Sequence, residues 1–479
     1  RDLFFIGLMI PNTLSRLLGE GAFSSGFLPI FSRMSSAGED DRLNELTSVI
    51  LNVVCLVSTG LCLIVWLSVP CIYKIFFFLE PRDKSLYPLA IFITRWMVPC
   101  MIFIALCAIG MAYLNSRRRF FVPAMASSIL NLCLIIFPIS ASFIPDSDDL
   151  TILHSLAIGV FAGGIIQFLV YLITMLKAGF RYTGIIIKKL QELIEGFKRM
   201  IPSMIGMSIL EINIVIDKIL AWLLPVGGIS ALYYSGHLFN LPLALIGYSV
   251  SVASFPEMST RKGGELSKKV IESKEIIIFG TIPAIAGLIS AGGWIIRGLF
   301  FGGRFGQWDL QATYLCLLFF SMGIYFHSLY KLLIITFFSI DDTVTPFKIS
   351  IAGIIINLIL NLVLMQVLSF TGLALSTTIT GGINVFTAEL ILKKRGIIIS
   401  NRETRKFLLK NILISLLMGL VVFGFGYFLD LLIIGLTILK LFVIIPFGIL
   451  VHYILLRLMG LEQGLEFYKR ILSKSGLNL

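Results

Sequence analysis

Runs of apolar residues long enough to cross a lipid bilayer recur along nearly the whole chain, and nothing constrains its folding more. A helix needs about 20 such residues to span the hydrocarbon core. Thirteen spans are read, near residues 3–32 (broken), 43–78, 86–114, 120–144, 152–176, 200–224, 229–258, 270–298, 310–339, 346–367, 370–392, 407–430 and 432–458. The runs are continuous rather than alternating, which excludes a membrane β-barrel. Backbone amides in lipid must be bonded within their own segment, so the expected fold class is an all-α polytopic membrane protein. Hydrophobic residues make up 57% of the 479 and charged residues only 14%, a balance foreign to soluble proteins.

The formal charge is +12, yet the bases lie in loops between apolar runs, so no nucleic-acid partner is expected. Arg33 and Arg42, Arg117 to Arg119, Lys177 to Arg199, Arg261 to Lys274, Lys393 to Lys410 and the tail from Arg457 fall on one side. The alternate loops are poor in Lys and Arg: 79–85 mixes signs, 145–149 is acidic and 225–228 is neutral. Basic loops belong in the cytoplasm, which puts residue 1 outside and the C-terminus inside. The seven cysteines sit almost entirely in apolar runs without metal-ligand spacing and read as small buried hydrophobes. No CxxC, Walker loop or HExxH is present, so no catalytic residue and no tightly held cofactor is expected.

Polar residues inside the first run carry the functional signal. Asn12, Arg16 and Glu20 are spaced four apart, which stacks them on one helix face, with Asp2 near the start. A charged stripe has no place against lipid and is expected to face the bundle interior or a water-filled cavity. Pro11, Pro29 and three glycines (19, 21 and 26) predict a broken helix, tolerated where it lines a cavity. The plainer alternative is a helix start with a solvated Arg16–Glu20 pair.

The same stretch carries a resemblance. Asp2-x-Phe4-Phe5, Pro11-Asn12, Arg16-x-x-x-Glu20-Gly21-Ala22-Phe23-Ser24 and Phe27-x-Pro29 closely resemble the second transmembrane helix of the MurJ (MviN) lipid II flippases. These belong to the multidrug/oligosaccharidyl-lipid/polysaccharide exporter superfamily. Leu232-Tyr233-Tyr234-Ser235-Gly236-His237-Leu238 resembles the family's eighth helix, with His237 where an arginine is usual, and Ser15 takes another position often filled by arginine. The resemblance extends over essentially the whole chain and implies two six-helix halves around a central cavity plus two C-terminal helices, fourteen spans in all. One further helix is therefore expected before residue 1.

The expected organisation is an N-terminal half (1–176), a cytoplasmic amphipathic linker (177–199), a C-terminal half (200–395) and two extra helices with a tail (396–479). Within the linker, Ile185, Leu190, Leu193, Ile194 and Phe197 share a face opposite Lys188, Lys189, Glu192 and Glu195, as in an interfacial amphipathic helix or a linker helix between halves. A faint repeat supports two halves: Leu28-Pro29-x-x-Ser32 is echoed by Phe255-Pro256-x-x-Ser259, and the spans after Pro123 and Pro346 hold Asn131 and Asn357.

Substrate contact is expected from Asp2, Asn12, Arg16, Glu20, Tyr233 and His237. Cationic donors in a low-dielectric bundle suit a pyrophosphate, and Asn and Tyr suit sugar hydroxyls. A second constellation is Asp217 in an apolar run, Asn357 and Asn361 four apart on another span, and Thr377 on the next. Carboxylate, amide and hydroxyl oxygens are hard ligands, and the resemblance implies a sodium site there, with Na+ as coupling ion. Asn361 stands where some members have an acid. The alternative is Asp217 paired with Lys218 and the two Asn as interhelical glue.

The resemblance implies an inner-membrane transporter, not an enzyme. It would move undecaprenyl-pyrophosphate-linked peptidoglycan precursor, lipid II, to the outer leaflet by alternating access. Its partners would be lipid II, membrane lipids and cell-wall synthesis proteins. Rival readings are a flippase for another polyprenyl-linked glycan, a cation-coupled drug exporter, or a polyprenyl-phosphate glycosyltransferase. The last needs carboxylates in a sizeable external loop, and those here are short.

Overall fold

The computed structural model describes residues 2–18, 22–79, 86–144, 148–184, 190–432 and 437–474; side chains at some helical positions, Arg16 and 201–210 among them, fall outside that description. Every element named is a helix. Contacts divide the chain into two compact units, Arg1–Leu223 and Leu224–Leu479.

The first unit holds α1 (Asp2–Leu18), α2 (Ala22–Ser36), α3 (Asp40–Leu79), α4 (Leu86–Met97), α5 (Cys100–Ser116), α6 (Phe121–Ser142), α7 (Asp149–Lys177) and α8 (Leu190–Trp222). The expected 86–114 span is bent: α4 ends before Val98–Pro99 and α5 begins after it, because proline lacks the amide that would continue the ladder. α7 is started by Asp148, whose carboxylate accepts from Thr151 N at 2.8 Å and Thr151 Oγ1 at 2.7 Å. Phe23, Phe27, Phe31, Leu43, Ile50, Ile109 and Tyr113 form its main core.

The second unit holds α9 (Gly228–Pro242), a π-helical turn (Leu243–Tyr248), α10 (Ser249–Thr260), α11 (Gly263–Phe300), α12 (Gln307–Ser339), α13 (Val344–Leu368) and α14 (Phe370–Lys394). It ends with α15 (Arg402–Leu432), α16 (Thr437–Leu458) and α17 (Glu462–Lys474). Gly227 opens α9 with φ at +95°, and a Cβ there would stand 2.4 Å from the Trp308 ring. Both the backbone conformation and the close approach require glycine. At the turn after α12, Asp342 Oδ1 accepts from the amides of Val344 (3.0 Å) and Thr345 (2.9 Å), while Oδ2 meets Arg395 Nη1 at 2.5 Å.

Eleven of the described helical stretches are long and apolar enough to cross a membrane, and they coincide with eleven of the thirteen expected spans. The other two are 3–32, which is α1 plus α2 with 19–21 outside the described residues, and 200–224, the C-terminal two-thirds of α8. Large apolar side chains face outward along these helices, Phe78 at 84% and Leu56 at 77% exposure. In water that surface would aggregate, whereas in a bilayer it is solvated by lipid. Five cysteines are buried, while Cys55 and Cys71 face outward.

Two expectations about local structure need correction. α1 runs unbroken through Pro11 and α2 through Pro29, so neither proline interrupts its helix, and residues 19–21 lie outside the described residues. The amphipathic segment 190–199 is not a separate interfacial helix but the opening turns of the 33-residue α8. Its apolar face docks on α2, with Phe197 edge-on to Phe27 at 5.3 Å, and Glu192 meets Arg42 at 2.6 Å. Residues 185–189 lie outside the described residues.

Candidate functional site

On α1, Asp2 is buried at 5% exposure and Asn12 is half-buried. The helix packs chiefly on α4, α8 and α5. Gly7 is what lets α4 approach, since a Cβ there would come within 2.9 Å of Thr94 Oγ1. Thr94 in turn shares a hydrogen bond of 2.8 Å with the buried Tyr73. Arg16 lies on the same helix with its side chain outside the described residues, and Glu20 lies outside them entirely. Of the expected stripe, Asn12 and Arg16 are therefore on one helix, four residues apart. Asp217 is half-buried on α8, in the first unit.

In the second unit, Tyr233 and His237 meet on one face of α9 with ring centroids 4.5 Å apart and planes at 78°. Tyr233 is half-buried and His237 exposed. The neighbouring Tyr234 turns to a different cluster, against Phe300 and Phe305.

Asn357 and Asn361 are both buried on α13, at 1% and 0% exposure. Asn361 Nδ2 donates to Asn357 Oδ1 at 2.9 Å, Ser376 Oγ on α14 donates to Asn361 Oδ1, and Asn357 Nδ2 approaches Ser376 Oγ at 3.5 Å. Ser376 also bonds Leu373 O at 2.8 Å, so its single proton is shared between two acceptors. Thr377 is not part of this ring: its hydroxyl bonds Leu373 O of its own helix at 3.0 Å. The residue that joins the two asparagines is Ser376, one position away. A one-residue change in helix phase turns a side chain by about 100°, and the phase of α14 against α13 is not written in spacing alone.

The asparagine carbonyls are hard oxygens a helix turn apart. In kind they suit a monovalent cation, although this cluster carries no formal charge of its own. No group of three or more His, Cys, Asp or Glu side chains arranged for a metal occurs among the described residues.

Sequence reasoning passed over other polar groups on the helices. Lys274 on α11 is buried and paired with Glu389 on α14 at 2.6 Å. Lys440 on α16 pairs with Asp430 on α15, which also accepts from Trp294 Nε1 at 2.8 Å. His327 on α12 presses on Gly381, and its buried Nε2 has no hydrogen-bond partner among the described residues. Arg95 on α4 lies over the Trp66 ring. For Arg95 the available signal was the one that singled out Arg16: an ionisable residue inside an apolar run.

A family model described as "Lipid II flippase MurJ" matches residues 1–443. Among curated proteins the chain is similar to two named "Probable lipid II flippase MurJ". The one from Buchnera aphidicola subsp. Schizaphis graminum is 30% identical over 484 aligned positions, covering 96% of this chain and 90% of that protein. The one from Haemophilus influenzae is 26% identical, covering 87% and 84%. Among solved structures, "Lipid II flippase MurJ, inward closed conformation" matches with a TM-score of 0.79 at 27% identity, over 96% of this chain and 93% of that one. An inward-facing MATE transporter of the MOP superfamily matches at TM-score 0.69 and 12% identity, covering 82% and 90%, and shares the fold.

Proposed function

Because the chain belongs to the lipid II flippase MurJ family, we infer that it carries lipid II, the polyprenyl-linked peptidoglycan precursor, across the bacterial inner membrane by alternating access. The carrying observation is the match along residues 1–443 together with a solved MurJ structure alike over 96% of the chain. The work is transport: a polar headgroup moves between leaflets while its lipid tail stays in the bilayer, and no covalent bond is made or broken. Cell-wall synthesis proteins would then meet the product on the outer face.

Arg16 is assigned to the substrate pyrophosphate, with Asp2, Asn12 and Glu20 shaping the path beside it. The support is their placement in a membrane-spanning run where charge is costly. A planar guanidinium grips two phosphate oxygens at once, which an ammonium cannot. On the second unit, Tyr233 and His237 offer an aromatic surface of a kind that suits a sugar-bearing headgroup. Asn357 and Asn361 would lend oxygens to a sodium ion, whose binding would supply coupling energy.

The test is complementation of a strain depleted of its own lipid II flippase. The chain should restore growth, Arg16→Ala should abolish and Arg16→Lys impair it, with both variants present in the membrane at the parent's level. Growth of Arg16→Ala equal to the parent would refute the arginine's role. Failure of the parent chain itself, though inserted, would refute the flippase reading.

A further inference from the structure

We propose that a cleft in the first unit, between α3, α4 and α7, binds the phosphodiester headgroup of an anionic bilayer phospholipid, with Arg95 as the phosphate ligand. The cleft measures about 680 Å³ and is lined by Trp66, Tyr87, Phe92, Arg95, Trp96 and Phe161. Its size is that of a small-molecule site. It accommodates a headgroup and the first carbons of the chains, with the rest of the lipid left in the bilayer.

Arg95 is the reason to assign a ligand. It lies nine residues into α4, about 14 Å from that helix's first residue, within an apolar run. Among the described residues no carboxylate lies within ion-pair distance of it. Its Nε donates to Trp66 O at 3.4 Å, and its Cζ sits 4.1 Å from the centre of the Trp66 ring. Those contacts occupy one face of the guanidinium and one of its five N–H groups. The remaining donors lie in the guanidinium plane, along its edge, where a tetrahedral anion takes two of them at once. An arginine held at this depth without an anion is costly, and a bound phosphate removes the cost.

The surroundings select a lipid over a soluble anion. Phe92 and Trp96, on the rim, are exposed on the outward face of a membrane-spanning helix, at 39% and 40%. The walls are aromatic and suit acyl chains. Lys74, exposed on α3 two turns beyond Trp66, adds a second positive charge towards the end of the helix where headgroups lie. This proposal does not depend on the flippase reading.

Native mass spectrometry of the full chain in detergent tests the assignment, with dioleoyl phosphatidylglycerol titrated against dioleoyl phosphatidylcholine of identical chains. The parent should retain one phosphatidylglycerol with about tenfold preference, the worth of one charge-assisted contact. Arg95→Gln should erase that preference and Arg95→Lys should weaken it. Chain-brominated phosphatidylglycerol should quench the tryptophan fluorescence of the parent, and less so that of Trp96→Phe. The quenching needs no arginine variant and decides the matter if Arg95→Gln fails to fold. Equal retention of both lipids, preference surviving in folded Arg95→Gln, preference for undecaprenyl phosphate, or quenching unchanged in Trp96→Phe would each overturn it.

Discussion

The Phe27 ring lies against the bare Cα of Gly196, so close that a Cβ on residue 196 would stand 2.1 Å from Cε1. On the other side of the same crossing, a Cβ on Gly26 would meet Gly196 O at 2.6 Å. α2 and α8 thus approach through two facing glycines, the means by which membrane helices gain contact when water supplies no driving force. Gly196→Ala forces Phe27 out of a core in which it is fully buried. The expected cost is about 1–3 kcal/mol, read as a lowered melting temperature in detergent. Gly26→Ala should do the same, and the double variant should cost less than the sum, because both open one interface. A parent-like melting temperature for Gly196→Ala would show that the crossing is looser than this.

Asn361→Ala removes the partner of both Asn357 and Ser376 and leaves buried polar groups unmatched, at an expected cost of about 1–3 kcal/mol. Asn361→Asp instead places a carboxylate among hard oxygens. If the cluster takes sodium, that variant should melt higher in sodium than in choline salts by a larger margin than the parent. Identical melting in both salts for parent and variant would remove the cation from the assignment.

Asp342 gives an acid-sensitive element. Burial pushes its carboxyl up, but hydrogen bonds from Thr345 and the Arg395 guanidinium outweigh this and hold it down at about 2. A depressed carboxyl stabilises the fold fully above the ordinary carboxylate range near pH 4, and that contribution disappears as pH falls towards 2. The melting-temperature advantage of the parent over Asp342→Asn should therefore be constant from about pH 7 to 5 and shrink below about pH 4. Arg395 is 39% exposed at its side chain, so solvent screens the pair and the advantage is modest. A gap independent of pH would mean that the carboxylate's charge contributes nothing.

His237→Arg should be tolerated. The residue is exposed, so the longer side chain displaces no packing, and its guanidinium can lie over the Tyr233 ring that the imidazole now meets edge-on. Growth on complementation should match or exceed that of the parent. Tyr233→Ala in the His237→Arg background should undo any gain. Loss of growth in membrane-inserted His237→Arg would mean that the imidazole itself is needed.

Orientation follows from Lys and Arg placement. In a cysteine-free background, a cysteine at 147 should react with an impermeant maleimide on intact cells and one at 265 should not. The reverse labelling pattern would invert the chain.

The fold was readable because each span is a continuous apolar run with its own boundaries, and eleven of the thirteen coincide with described helices. Polar residues inside those runs were readable by type but not by partner. Asn357 and Asn361 were found by their spacing, whereas Ser376 was bypassed for its neighbour because the rotation of α14 is set by packing. Lys274 and Glu389 are 115 residues apart in sequence, and no local pattern joins them. Arg95 was passed over because a lone arginine has no spacing to notice. Repeat similarity also misleads in detail: Asn131 and Asn357 correspond in the sequence echo, yet the first is exposed and the second buried.

The π-helical turn at Leu243–Tyr248 amounts to one surplus residue in the membrane-spanning stretch that begins at α9. An added residue turns everything after it by about 100°, so the stripe bearing Tyr233 and His237 does not continue down α10. α9 and α10 therefore present different faces to their neighbours, although they form one helical stretch. A helix built this way re-aims its second half without being broken.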